Sequence, residues 1–205
     1  MPRVGKNGAG TKSVVADKRE AILCSATKVF AGKGYFNAKV ADIAAEAGIA
    51  DGTVYLYFKS KDEILHSIFD RAMAEFIAEG KKELAEIDNP AAKLTRIAEL
   101  HLEKLGANRD LAIVFQVELR GSTKHMQEFS AAGFAEYLEI IRETIHDGQQ
   151  QGVFRGDIKS IIAAKILYGA LDEMVTNWVI SNKSYPLTPM AGEVLKILFD
   201  GIAKK

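Results

Sequence analysis

Residues 50–61 read ADGTVYLYFKSK, and within these twelve positions Tyr55, Tyr57 and Phe58 are followed at once by Lys59 and Lys61. A core segment suits the rings but not the adjacent charges; a solvated face suits the charges but not the rings. Something flat and negatively charged suits both, as the bases and phosphates of nucleic acid are. Charge is also unevenly spread. Residues 1–61 carry ten Lys or Arg against five Asp or Glu, a surplus that the remainder cancels to a net charge of zero. Such asymmetry hints at an anionic partner for the N-terminal part, although charge runs are usually solvated faces.

The elements that must position these residues are helical. Apolar residues recur at helical spacing while glycine and proline fall between the segments, which predicts an all-α chain. A first helix from about Asp17 to Lys33 puts Ile22, Ala26, Val29 and Phe30 on one stripe and stops at Gly32–Gly34. Asn37 is the candidate cap of a second helix over 38–47, ended by Gly48, and a third short helix covers 51–57. Two short helices joined by AGIA have the spacing of a helix-turn-helix, whose second helix enters the major groove by its N-terminal residues. There Gly52 permits close backbone approach, Thr53 and Tyr55 reach base edges or phosphates, and Tyr57, Lys59 and Lys61 lie toward the flanking strand. Val54 and Phe58, four apart, face inward.

Further along, Ser60 and Glu63 form a capping box that opens a long helix. Asn89 caps the next, with Pro90 at its first position. Helices then follow over about 108–120, 122–151, 157–181 and from 187 onward, nine in all. The last two are apolar on more than one face and need two partners. Periodicity leaves two readings open: both helices are central to their own core, or one face meets a second copy.

Bulk composition is close to the globular average, with 48% hydrophobic and 26% charged residues, and it excludes a disordered or fibrous chain. Cys24, the single cysteine, falls among apolar neighbours and is expected to be buried, in a reducing compartment. No apolar run suggests a signal peptide or membrane span, so the expectation is a cytoplasmic protein. GKNGAGTKS at 5–13 lacks the strand and lysine spacing of a phosphate loop and reads as a flexible basic arm over 1–16. His66, His101, His125 and His146 lack metal-ligand spacing, and no nucleophile motif is present, so an enzyme is the weaker hypothesis.

KVADIAAEAGIADGTVYLYFKSKDEIL, residues 39–65, resembles the N-terminal signature of the TetR family of bacterial repressors. Every position of A-G-[IV]-x-x-G-T-[VIL]-Y-x-[YH]-F-x-[SN]-K is met. The resemblance implies a nine-helix architecture with a three-helix DNA-binding domain at 17–60. A ligand-binding and dimerisation domain would follow at 61–205, dimerising through the last two helices. It implies a homodimer on palindromic operator DNA and no cofactor. Lys39 stands where the family usually has Thr or Ser and is expected to contact a phosphate. Asp51, in the first turn of the recognition helix, either meets a base donor such as cytosine N4 or serves only as a helix-start residue.

LAIVFQVELRGS at 111–122 and GALDEMVTNWVISNKSY at 169–185 look like the TetR-type regulators of fatty-acid degradation. That resemblance implies a repressor relieved by long-chain acyl-CoA. Candidates for an apolar acyl tunnel are Leu102, Phe115, Leu119, Met126, Phe129, Phe134 and Leu138, each of which also suits an ordinary core. Arg109 and Arg120 are candidates for the CoA phosphates, since arginine suits phosphate bidentately. Arg120 equally suits a carboxylate, and Asp172 and Glu173 are placed near that pocket. A TetR-type repressor sensing another hydrophobic compound, such as a drug or quinone, is the alternative, and a helical carrier or enzyme comes third.

Overall fold

The computed structural model describes residues 9–130, 133–181 and 185–202, apart from the side chains of 9–16, 123 and 128–130. Regular structure among them is helical: α1 (Ala9–Lys33), α2 (Val40–Glu46), α3 (Asp51–Val54), α4 (Lys61–Leu84), α5 (Pro90–Ala107), α6 (Arg109–Ile113), α7 (Thr123–Ser130), α8 (Gly133–Gln150), α9 (Ser160–Ile180) and α10 (Met190–Ile202). Two compact units divide the chain, residues 1–68 and 69–205, and the division falls inside α4.

In the first unit, Ile22, Leu23, Ala26 and Phe30 of α1, Ile43 and Ala44 of α2, and Val54 and Phe58 are buried together with Ile64, Leu65 and Ile68. Each large side chain removed from water in this way contributes about 1.5–3 kcal/mol. The turn after α2 needs glycine: Gly48 has φ +66°, and its amide and that of Ile49 bond back to Ala45 and Ala44 at 3.2 and 3.0 Å. That closes the helix on a left-handed residue and sets the angle at which α3 leaves.

Three local expectations change. Helix α1 begins at Ala9, eight residues before Asp17, because residues 9–16 contain Ala, Lys and Val and only Gly10 opposes a helix; residues 1–8 of the expected arm lie outside the described residues. Asn37 does not cap α2: its side-chain amide donates to the Lys33 carbonyl at 3.2 Å, and the cap position is held by Lys39. Cys24 is exposed, because the α1 face that buries Leu23 and Ala26 turns it outward, with Sγ 3.4 Å from a Glu20 carboxylate oxygen.

In the second unit, the expected cap holds α5, with Asn89 accepting from the Ala92 amide at 3.0 Å, and Asn108 caps α6 in the same way, accepting from the Leu111 amide at 3.0 Å. The core gathers Leu94 and Ile97 of α5, Ile141 and Ile145 of α8, and Leu167 and Leu171 of α9. Among the described residues there are ten helices against the nine expected, the seventh being described as two stretches, α7 and α8, on either side of residues 131–132, which lie outside the described residues. At Gly133 of α8 a Cβ would lie 2.8 Å from the Met73 Cβ, so only glycine permits this approach to α4. The sixth helix is also not uniform. After α6 the chain widens into one π turn over Val114–Glu118, with the Leu119 amide bonded to the Val114 carbonyl, and then tightens into a 3-10 turn over Leu119–Gly121.

Candidate functional site

The residues expected at a nucleic-acid face lie in the first unit. Val54 and Phe58 are fully buried, which turns Tyr55 out at 57% exposure and leaves Tyr57 half-buried. The helix proper is only four residues long, but its turns continue: Tyr57 and Phe58 amides bond to the Val54 carbonyl at 3.0 Å. Lys39, Asp51, Gly52 and Lys59 are exposed, and Thr53 is half-buried. A Cβ built on Gly52 meets nothing within 4 Å, so the chain's own packing gives no reason for glycine there.

The N-terminal cations fall into two groups. Lys28 pairs with Glu46 at 3.2 Å and Lys33 with Asp42 at 2.7 Å, tying α1 to α2. The Lys33 bond, aided by the Lys39 amide on Asp42, holds the Asp42 carboxyl below its ordinary range. Arg19 lies over the Phe58 ring at 4.9 Å and donates to the Ser67 hydroxyl at 3.0 Å. Lys61 is likewise occupied, contrary to its expected place on DNA: its ammonium donates to the carbonyls of Tyr35 at 2.6 Å and Ala38 at 2.8 Å. The ammonium groups of Lys39 and Lys59 hold no ion pair among the described residues.

The second unit holds a pocket whose wall comes from α4 to α9. Met73 and Phe76 of α4, Phe115 of the widened segment, Leu119 of the tightened turn after it, Met126 of α7 and Phe134 of α8 line its apolar wall. Polar groups gather on part of that wall. Asp172, 8% exposed on α9, accepts from the Gln116 amide at 2.8 Å and the Tyr168 hydroxyl at 3.1 Å, and pairs with Arg120. Thr176 donates to the Gln116 carbonyl oxygen at 3.0 Å. The π turn brings Gln116 to this cluster, in keeping with the use of such turns at functional sites. Burial works against the Arg120 guanidinium, but Asp172 and Tyr168 together outweigh it and raise its pKa. Beside the cluster, His101 of α5 stacks on Tyr137 of α8 at 5.8 Å, with Nδ1 3.1 Å from the Tyr137 hydroxyl. Burial pushes the His101 pKa down to about 4, against the pull of Asp172, and raises that of the Tyr137 phenol.

Of the ligand residues expected from sequence, Phe115, Leu119, Arg120, Met126 and Phe134 line this pocket. Leu102 does not: it is fully buried in the core, as the inward stripe of α5 requires. Leu138 is half-buried and also off the lining, since α8 turns its neighbour Tyr137 toward the pocket instead. The Phe129 side chain lies outside the described residues. Arg109 is no part of the pocket; its guanidinium donates to the carbonyls of Val179 and Ser181 at 2.9 and 3.0 Å and stacks on Trp178, capping the end of α9. Sequence reasoning missed His101, Tyr137, Tyr168 and Gln116. The available signal was a polar or hydroxylated residue inside an otherwise apolar stripe, and the i,i+4 row Tyr168, Asp172, Thr176 on α9.

Helices α9 and α10 carry a second apolar surface. Ile162 and Ile166 of α9 are 50% and 59% exposed, and Ile197 of α10 is 77% exposed. With Met174 and Val194 they line a continuous groove. Among the described residues, no group of three His, Cys, Asp or Glu could hold a metal, and no helix is long and apolar enough to cross a membrane.

The family model of bacterial regulatory proteins of the tetR family matches residues 22–68, and that of the YsiA-like protein, C-terminal region, matches residues 69–201. A fatty acid metabolism regulator protein of Bacillus subtilis strain 168 is 35% identical over 184 residues, covering 90% of this chain and 95% of the relative. Two solved structures are each 34% identical and cover 89% of this chain and 98% of theirs. These are the transcriptional regulator FadR from B. subtilis in complex with stearoyl-CoA, with TM-score 0.84, and the fatty acid degradation regulator FadR from Bacillus halodurans, with TM-score 0.83.

Proposed function

Since the chain belongs to the TetR family of bacterial transcriptional regulators, we propose that it is a homodimeric repressor of fatty-acid degradation genes, released from a palindromic operator by long-chain acyl-CoA. Its work is regulatory rather than enzymatic. The observation that carries the effector reading is the apolar pocket of the second unit, with its polar cluster gathered around Asp172. An acyl chain takes the apolar wall, and the polar head of the acyl group meets the cluster. The similarity to a regulator solved with stearoyl-CoA supports the same ligand class.

DNA contact falls to Lys39, Asp51, Gly52, Thr53, Tyr55, Tyr57 and Lys59. The lysines meet phosphates, and Thr53 and Tyr55 reach base edges or backbone. Dimerisation falls to the exposed isoleucines of α9 and α10, whose apolar face has the character of a core cut in half. An anisotropy titration of the protein onto its own upstream promoter fragment tests the whole reading. Release by long-chain acyl-CoA, but not by CoA or free fatty acid, is the expected result. Tight DNA binding that acyl-CoA leaves untouched keeps the repressor and discards the lipid.

A further inference from the structure

Resting on the acyl-CoA reading above, we propose that His101 is the residue that recognises the thioester carbonyl, through a hydrogen bond donated by its Nε2. The imidazole is 6% exposed, lines the pocket, and its Nε2 has no hydrogen-bond partner among the described residues. A buried polar atom on an apolar wall is costly unless something pairs with it.

The neighbouring hydroxyl decides whether Nε2 donates or accepts. If Nδ1 carried the proton and donated to Tyr137, the phenolic proton and the Nε2 lone pair would both go unmet. If instead the Tyr137 hydroxyl donates to Nδ1 across 3.1 Å, only the Nε2 proton remains. The second arrangement leaves one unmet group rather than two, so Nε2–H is an unmet donor on a ring that lines the pocket, and its natural partner is a carbonyl oxygen.

The surrounding charges select a neutral carbonyl over a carboxylate. Both cations on the wall are already engaged, Arg120 by Asp172 and Lys104 by Glu79. His101 is itself uncharged at neutral pH. The His101 ring lies 6.0 Å from the Tyr168 ring, whose hydroxyl bonds Asp172. A fatty-acid carboxylate would therefore enter near an existing carboxylate with no cation left to pair with it, whereas a thioester brings an acceptor without a charge.

Calorimetric titration of the full-length protein with palmitoyl-CoA and with S-hexadecyl-CoA, the thioether that lacks the carbonyl, reads this directly. The wild type is expected to bind the thioester about tenfold or more tightly than the thioether. His101→Phe, which keeps a ring in the stack, should bind both alike, and Tyr137→Phe, which frees Nδ1, should narrow the gap. Equal binding of the two ligands by wild type overturns the role of His101 while leaving the acyl-CoA reading in place. Binding of neither ligand overturns both. Should His101→Phe fail to fold, as its circular dichroism would reveal, the wild-type comparison and Tyr137→Phe decide alone.

Discussion

The Lys61 ammonium donates to the Tyr35 carbonyl at 2.6 Å while lying 4.4 Å from the centroid of the Tyr35 ring, so one side chain is held by another through both its backbone and its π face. The Tyr35 hydroxyl bonds Asp62, and burial, reinforced by that carboxylate, raises its pKa. Lys61 and Asp62, the first residues of α4, thus clamp the chain between α1 and α2.

Lys61→Met keeps the aliphatic stem and removes the donors, and should destabilise the protein by about 1–3 kcal/mol in urea denaturation. Lys59→Ala should leave the denaturation midpoint in place and weaken operator binding. The reverse pattern would show that Lys61, not Lys59, serves the DNA.

Gly52→Ala places a methyl group where nothing in the protein lies within 4 Å. Alanine in a helical turn gains about 1 kcal/mol over glycine, so the variant should be at least as stable as wild type. Its operator affinity should nevertheless fall, because the backbone can no longer approach as closely. Unchanged affinity in an anisotropy titration would remove Gly52 from the interface.

His101 gives the pH dependence a defined sign. Its folded-state pKa of about 4 lies below its ordinary value, so the unfolded chain binds the proton more readily. The stability involved is fully present above about pH 6.5 and is lost as the pH falls toward 4, up to about 3 kcal/mol. Denaturation at pH 7 and pH 5 should show a larger loss for wild type than for His101→Phe; equal losses would locate the acid sensitivity elsewhere.

Ile166→Glu and Ile197→Glu each put a charge on the exposed apolar face of α9 and α10. Light scattering after size exclusion should report a dimer for wild type and a shift to monomer for both variants, with monomer fold retained. A dimer in all three proteins would place the contact on another surface.

The DNA-facing unit was largely legible because it is local. The glycine turn at Gly48, the inward pair Val54 and Phe58 and the cap Ser60 are each set by neighbours within a few residues. The pocket was legible only in part, because it is assembled from helices far apart in the chain. Periodicity places Phe115 and Phe134 on apolar faces but cannot tell a lining residue from a core residue such as Leu102. The π turn over Val114–Glu118 rotates Gln116 to Asp172 in a way that a regular 3.6-residue period does not anticipate. Arg109 and Lys61 are instructive in the same sense. A cation is an equally good ligand for phosphate or for a helix-end carbonyl, and only the fold shows which it meets.

Arg19, Lys28, Lys33 and Lys61 are all committed to partners within the first unit. Complex formation releases the ions condensed on DNA only in proportion to the protein cations that neutralise phosphates. The ten lysines and arginines of residues 1–61 therefore overstate the number of counterions set free. The grip on DNA should respond to ionic strength less steeply than that count suggests, leaving groove shape and base-edge contacts a larger share of the hold as salt rises.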